Sequence, residues 1–150
     1  MIAVLQRVSG ASVDVDGKCV GKCGEGLCVL LGVADGDTRE DAEILARKTV
    51  NLRIFSDENG KMNKSVIDVG GDMLVVSNFT LLAAYKKGNR PDYMGAAAPD
   101  TANGLYEYFA DCCRRAVPVE TGIFGADMKL HIDNDGPVTI VMDSRVLSGK

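Results

Sequence analysis
The chain has 150 residues, 46% of them apolar and 25% charged, with a formal net charge of −4. These proportions are ordinary for a folded globular protein, so an intrinsically disordered chain is excluded, and the length suits a single domain, residues 1–150, with a real core. The acidic balance disfavours broad, salt-driven binding of nucleic acid and leaves room only for a local site that takes one short RNA end.

The amino-terminal third reads as strands. Residues 2–8 lead into residues 11–15 (ASVDV), whose period-two alternation points one face inward, and Asp16-Gly17 is a hairpin turn signal before residues 18–23. Residues 27–33 are apolar on both faces, the pattern of a central strand. Residues 37–40 (DTRE) then read as a helix start, with Asp37 accepting from the first-turn amides and Glu40 reaching back from three residues on. Ala42, Leu45, Ala46, Thr49 and Leu52 form its inner stripe. Ile54-Phe55 resumes an extended segment that residues 56–60 turn, and residues 73–76 form another apolar strand running into Ser77-Asn78-Phe79-Thr80.

Residues 86–100 (KKGNRPDYMGAAAPD) have no periodicity and read as a surface loop. A second helix is expected from about Asp100, burying Leu105, Phe109, Cys112, Cys113 and Ala116 at helical spacing. Strands return after Pro118, and residues 134–139 (NDGPVT), between an alternating segment and an apolar run, read as the turn of a hairpin. Yet Pro137 removes a backbone donor just where the second strand should begin to pair, which is tolerated only at a strand's first residue or edge. Strands at both ends with two helices between them predict an α+β domain built on antiparallel hairpins.

Uncharged runs such as residues 26–34 fall far short of the roughly 20 residues that a membrane helix needs. The first ten residues have no basic leader, sustained apolar region or cleavage site, so a cytoplasmic protein is expected. Cys19, Cys23, Cys28, Cys112 and Cys113 form no CxxC pair and have one histidine to help them, so they read as free thiols rather than as a metal site. That histidine, His131, lies in an alternating strand and reads as structural, leaving no Ser-His or Cys-His pair to build. Gly21, Gly24 and Gly26 lack the spacing of a phosphate-binding loop. Residues 77–80 stand where an apolar strand leaves the core. Their small polar groups either face a cleft or bond locally as an ordinary strand end.

Taken in chain order, AVLQRVSGASVDVDGK, NLRIFSDENGKMN, SNFT, Arg90-Pro91, LYEYF (residues 105–109), TGIFGADM (residues 121–128) and NDGPVT resemble the D-aminoacyl-tRNA deacylases from end to end. The resemblance implies an α+β fold with a barrel-like core and two main helices. It implies a homodimer that hydrolyses the ester joining a D-amino acid, or glycine mischarged on tRNA, to the 3′-terminal adenosine. No metal or organic cofactor and no DNA partner is expected. The family signatures Ser-Gln-x-Thr and Gly-Pro-x-Thr fall on residues 77–80 and 136–139, with Asn78 one methylene shorter than the usual Gln. A further implication is a cis Gly136-Pro137 bond that reaches into the partner subunit's site, where its neighbouring carbonyls hold the substrate ammonium and an L side chain meets rigid backbone. By the same resemblance Arg7 braces this loop, Ala102 and Met128 wall the pocket, and Ser77 and the Phe79 amide lie at the reacting carbonyl, the amide as oxyanion donor. Thr80 has the side chain of a nucleophile but no base to activate it, and the resemblance implies attack by water, positioned by backbone and aided by the terminal ribose 2′-hydroxyl. The non-enzymatic alternative is an interaction module built on the basic residues Lys86, Lys87 and Arg90.

Overall fold
A computed structural model describes residues 1–149. The long strand β1 (Ile2–Val15) turns at Asp16-Gly17, where both residues have positive φ (51° and 76°), into β2 (Lys18–Cys23), and β3 (Gly26–Gly32) returns along the first half of β1. Then follow α1 (Arg39–Asn51), the small hairpin β4 (Phe55–Ser56) and β5 (Met62–Lys64), β6 (Asp72–Ser77), α2 (Pro99–Arg114), β7 (Val119–Thr121), β8 (Lys129–Asp143) and α3 (Ser144–Ser148). The main sheet runs β2-β1-β3-β6-β7, with β8 also on β1, so the α+β class and the barrel-like sheet expected from the sequence are found. Its pairing is not antiparallel throughout. β3–β6 and β6–β7 are parallel, and each parallel step is bridged by a helix, α1 for the first and α2 for the second.

β3 and β6 are apolar on both faces because they separate two cores. Leu27, Val29 and Leu31 of β3, with Met73 and Val75 of β6, pack under the helices against Leu45 of α1 and Phe109 and Cys113 of α2. The residues between them, Cys28, Leu74 and Val76, face a second, smaller core with Val8, Ala11, Val13 and Cys23. β1 feeds both, Ala3 and Leu5 into the first core and Val8 onward into the second. Each fully buried leucine or valine contributes on the order of 1.5–3 kcal/mol. Among the described residues no helix is long and apolar enough to cross a membrane.

Three expectations about element ends need correction. The α1 N-cap is Thr38, not Asp37, and Asp41 rather than Glu40 reaches back to it, accepting from the Thr38 N–H and hydroxyl at 2.9 Å each. Asp37 is drawn elsewhere: its carboxylate takes the Met1 ammonium at 2.8 Å and the Ala34 N–H at 2.6 Å. Leu52 is the α1 C-cap, only partly buried, and Val50 fills the inner position. α2 begins at Pro99, a residue whose missing N–H costs nothing in a first helical turn, and Ala116 lies exposed beyond its end.

The largest departure is at the carboxyl end. Residues 129–143 form one strand antiparallel to β1, not a hairpin. Gln6 stands opposite Thr139 and Val8 opposite Asn134, so four residues, Asp135 to Val138, face Arg7 alone. They leave the ladder as a wide bulge. This resolves the problem that Pro137 posed, because a residue thrown out of the ladder has no rung to donate to. Leu130 and Ile132 pack on the second core before the bulge, and Val138, its last residue, packs on the first core with Ile140 beyond it.

Candidate active site
β6 leaves the sheet at Ser77. The Asn78 N–H donates to the Leu31 carbonyl of β3 at 2.8 Å, and the chain then winds into one 3-10 turn, Phe79–Leu82. Gly32 on β3 makes room for that turn: a Cβ there would lie 2.4 Å from Leu82 Cδ2 and 3.1 Å from the Asn78 oxygen. Ser77, Asn78, Phe79 and Thr80 consequently line a cleft of about 720 Å³ together with Ala102 and Met128. The volume is that of a small-molecule site. α2 is fastened to this region by Tyr106, whose hydroxyl donates to the Val75 carbonyl at 2.8 Å and whose pKa burial pushes up to about 12.

Few titratable groups serve the cleft. Asp127 is the one acid among its described lining residues, and neither histidine nor cysteine is among them. The Thr80 hydroxyl donates to Asn78 Oδ1, an amide oxygen and not a base. His131 lies outside the cleft, with Nε2 3.1 Å from Asp14 Oδ2. Burial pushes the thiols of Cys28 and Cys113 up to about 12, and burial with the nearby Asp72 carboxylate pushes Cys23 to about 11, so these remain neutral and packed. No group of three or more His, Cys, Asp or Glu side chains converges to hold a metal among the described residues. As the first residue of the 3-10 turn, Phe79 presents an amide that helical bonding leaves free. The cleft can therefore polarise a carbonyl with backbone donors, and it holds no acid-base pair.

The other sequence-picked residues gather at the bulge. The Gly136-Pro137 peptide is cis. Arg7 Nε donates to the Asp135 carbonyl at 3.0 Å and Nη1 to the Ile54 carbonyl at 2.9 Å, which pins the bulge to the segment after α1. Asn134 closes its base: Nδ2 donates to Gln6 Oε1 at 2.6 Å and Thr139 Oγ1 at 3.1 Å, while Oδ1 accepts from the Val138 N–H at 2.9 Å. Gly136 has φ 139°, and a Cβ on it would lie 2.8 Å from the Val138 nitrogen and 3.3 Å from Arg7 Nη2. The nominated residues thus fall into two groups, one in the cleft and one on an exposed elbow that does not line the cleft of its own chain.

The family model described as D-Tyr-tRNA(Tyr) deacylase matches residues 4–143. The chain belongs to this deacylase family. A D-aminoacyl-tRNA deacylase of Sulfurihydrogenibium sp. is 55% identical over 147 residues, 98% of this chain and 100% of the relative. One from Dehalococcoides mccartyi is 60% identical over 146 residues, 97% of this chain and 95% of the relative. A solved structure described as c-Myc DNA Unwinding Element Binding Protein superposes with a TM-score of 0.90 at 45% identity, covering 95% of this chain and 98% of that one.

Within the deacylase family's first signature this chain carries Asn78, whose amide oxygen is occupied by the Thr80 hydroxyl. The shorter side chain works here as a local brace. Sequence reasoning missed Asn134, Gln6 and Tyr106, all of which position the nominated residues. Asn134 was visible inside NDGPVT but read as turn chemistry. Its partner Gln6 is 128 positions away and gave no local signal.

Proposed function
We propose that the protein hydrolyses the ester of D-aminoacyl-tRNA and that the cleft at residues 77–80 is where the bond is cut. What carries this reading is the meeting, in a chain of the deacylase family, of a substrate-sized cleft with a signature segment that offers backbone amides and hydroxyls in place of a titratable pair. The ester carbonyl oxygen lies against the Phe79 amide, with Ser77 beside it, so that charge developing on that oxygen is stabilised by preorganised donors. Water adds to the carbonyl carbon, the bond to the ribose 3′-oxygen breaks, and the ribose 2′-hydroxyl assists the proton's passage to that oxygen. Free tRNA and a D-amino acid leave. No side chain becomes acylated, because no base faces Thr80.

The chain acts as a homodimer in which the elbow of one subunit enters the cleft of the other. The elbow's exposure, its absence from its own cleft and its bracing by Arg7 and Asn134 support this arrangement. Carbonyl oxygens at Gly136 and Pro137 accept the substrate ammonium. With ammonium and ester both fixed, an L side chain is driven into backbone, a D side chain points to solvent, and glycine has nothing to exclude. The reaction belongs in the cytoplasm, where aminoacyl-tRNA is made.

Incubating the protein with D-tyrosyl-tRNA and L-tyrosyl-tRNA tests the activity: release of tyrosine from the D ester alone is expected, and protection of both esters would refute it. The shared site has its own test. Gly136→Ala, altered in the elbow, and Ala102→Phe, with a filled cleft, are each expected to be strongly impaired and to regain activity when unfolded and refolded together. Failure of the mixture would rule out an elbow supplied by the partner.

A further inference from the structure
The loop between the 3-10 turn and α2 is left unused by the chemistry described so far. Antiparallel bonds between Ala84 and Asp92, 2.7 and 2.8 Å, close it at the base, and Asp92 Oδ1 accepts from the Met94 N–H at 2.7 Å. Residues 85–91 (YKKGNRP) carry three cations and no acid, in a chain whose net charge is −4. Lys86, Lys87 and Arg90 are exposed and make no hydrogen bond or ion pair among the described residues, and Tyr85 beside them is 78% exposed.

The loop's two stems are walls of the cleft. It begins just past Phe79 and Thr80 and ends just before Ala96 and Ala97, all four of which line the cavity. The Phe79 ring meets Tyr93 edge-on with centroids 5.1 Å apart, and the Ala97 N–H donates to the Val33 carbonyl at 3.0 Å, so both stems are fixed to the body. Lys86 follows Leu82 by four residues, so it lies within about 14 Å of the turn even if the chain between them is fully extended. An aminoacyl-adenosine in the cleft brings with it the phosphates of the preceding nucleotides, one per residue of RNA. An acidic protein that must hold a polyanion gains most from cations placed at that exit.

We propose that the 84–92 loop is an RNA-backbone clamp, with Lys86, Lys87 and Arg90 pairing with phosphates of the nucleotides that precede the terminal adenosine. The clamp rests on the reading of the cleft as an aminoacyl-tRNA esterase and adds to it a separate binding subsite.

The test compares the full chain with the variant K86Q/K87Q/R90Q on two substrates, D-tyrosyl-tRNA and D-tyrosyl-adenosine, which carries the ester and no phosphate. The variant's KM for the tRNA should rise on the order of tenfold with kcat little changed. The slope of log(kcat/KM) against log salt should become shallower by about two, near 0.7 for each single-strand phosphate that no longer has a cation. The handicap should be confined to the substrate with phosphates. Equal losses on both substrates would mean that the loop merely shapes the cleft, and no loss on either would mean that it serves another partner such as a protein; either result overturns the clamp. If neither protein hydrolyses either ester, the esterase reading falls, and filter binding of uncharged tRNA still decides the loop: tenfold weaker retention by the variant upholds it, equal retention ends it.

Discussion

The Thr80 hydroxyl donates its proton to an amide oxygen, that of Asn78, and nothing basic faces it from the other side. Thr80→Ala should accordingly keep kcat on D-tyrosyl-tRNA within about tenfold of the parent, whereas losing a true nucleophile costs on the order of 10⁴ or more. A loss of that size would restore Thr80 to the centre of the chemistry. Gly136 is the opposite case. Its φ of 139° disfavours any L side chain, and a Cβ would meet the Val138 nitrogen at 2.8 Å. Gly136→Ala should therefore move the elbow by tenths of an ångström to about 1 Å, enough to lower kcat/KM on the order of 100-fold while circular dichroism stays native. Parent-like kinetics would show that the elbow's position is immaterial. The residue pattern of 77–80 left a cleft and an ordinary strand end equally open, and it was the resemblance of SNFT to the deacylase signature that singled the segment out. Asp37 was misread for a physical reason: its partner is the Met1 ammonium, 36 positions away, and a local capping rule cannot see such a competitor.

At the scale of elements, β8 shows the limit of reading by pattern. Alternation, turn residues and then an apolar run describe a hairpin and a bulged strand equally well, and what decides between them is β1, a strand long enough to pair with both halves. Asn134 makes the bulge tolerable by satisfying the Val138 N–H and spanning to Gln6 and Thr139. Removing it strands those groups, so Asn134→Ala should lower the urea-unfolding free energy by about 1–3 kcal/mol and reduce deacylation at least tenfold. A stable variant with full activity would show that Arg7 alone suffices to hold the bulge. The parallel pairs β3–β6 and β6–β7 were also missed, since periodicity reports burial and not strand direction.

For the molecule as a whole, the doubly apolar segments 27–33 and 73–76 announced central strands, while the reason, two cores back to back, emerged only in three dimensions. Buried thiols in these two cores make stability depend on alkali. Cys23, Cys28 and Cys113 ionise near 9.0 when unfolded and at about 11 to 12 when folded, because burial opposes the charge. Above pH 9 the unfolded chain releases these protons first, so the contribution is complete below pH 9 and fades as pH rises toward 11–12, on the order of 1 kcal/mol per thiol by pH 10. The urea midpoint should fall between pH 8 and pH 10, and a flat profile would contradict the burial argument. Under native conditions a thiol reagent should modify Cys19, the exposed one, well before the buried three. Finally, among the described residues β8 pairs with β1 alone and leaves its outer edge without a strand neighbour. An unbroken edge of 15 residues would be a template for fibrils, but with four residues thrown out midway an incoming strand can follow one half and not both. The same irregularity that presents the elbow thus limits runaway stacking.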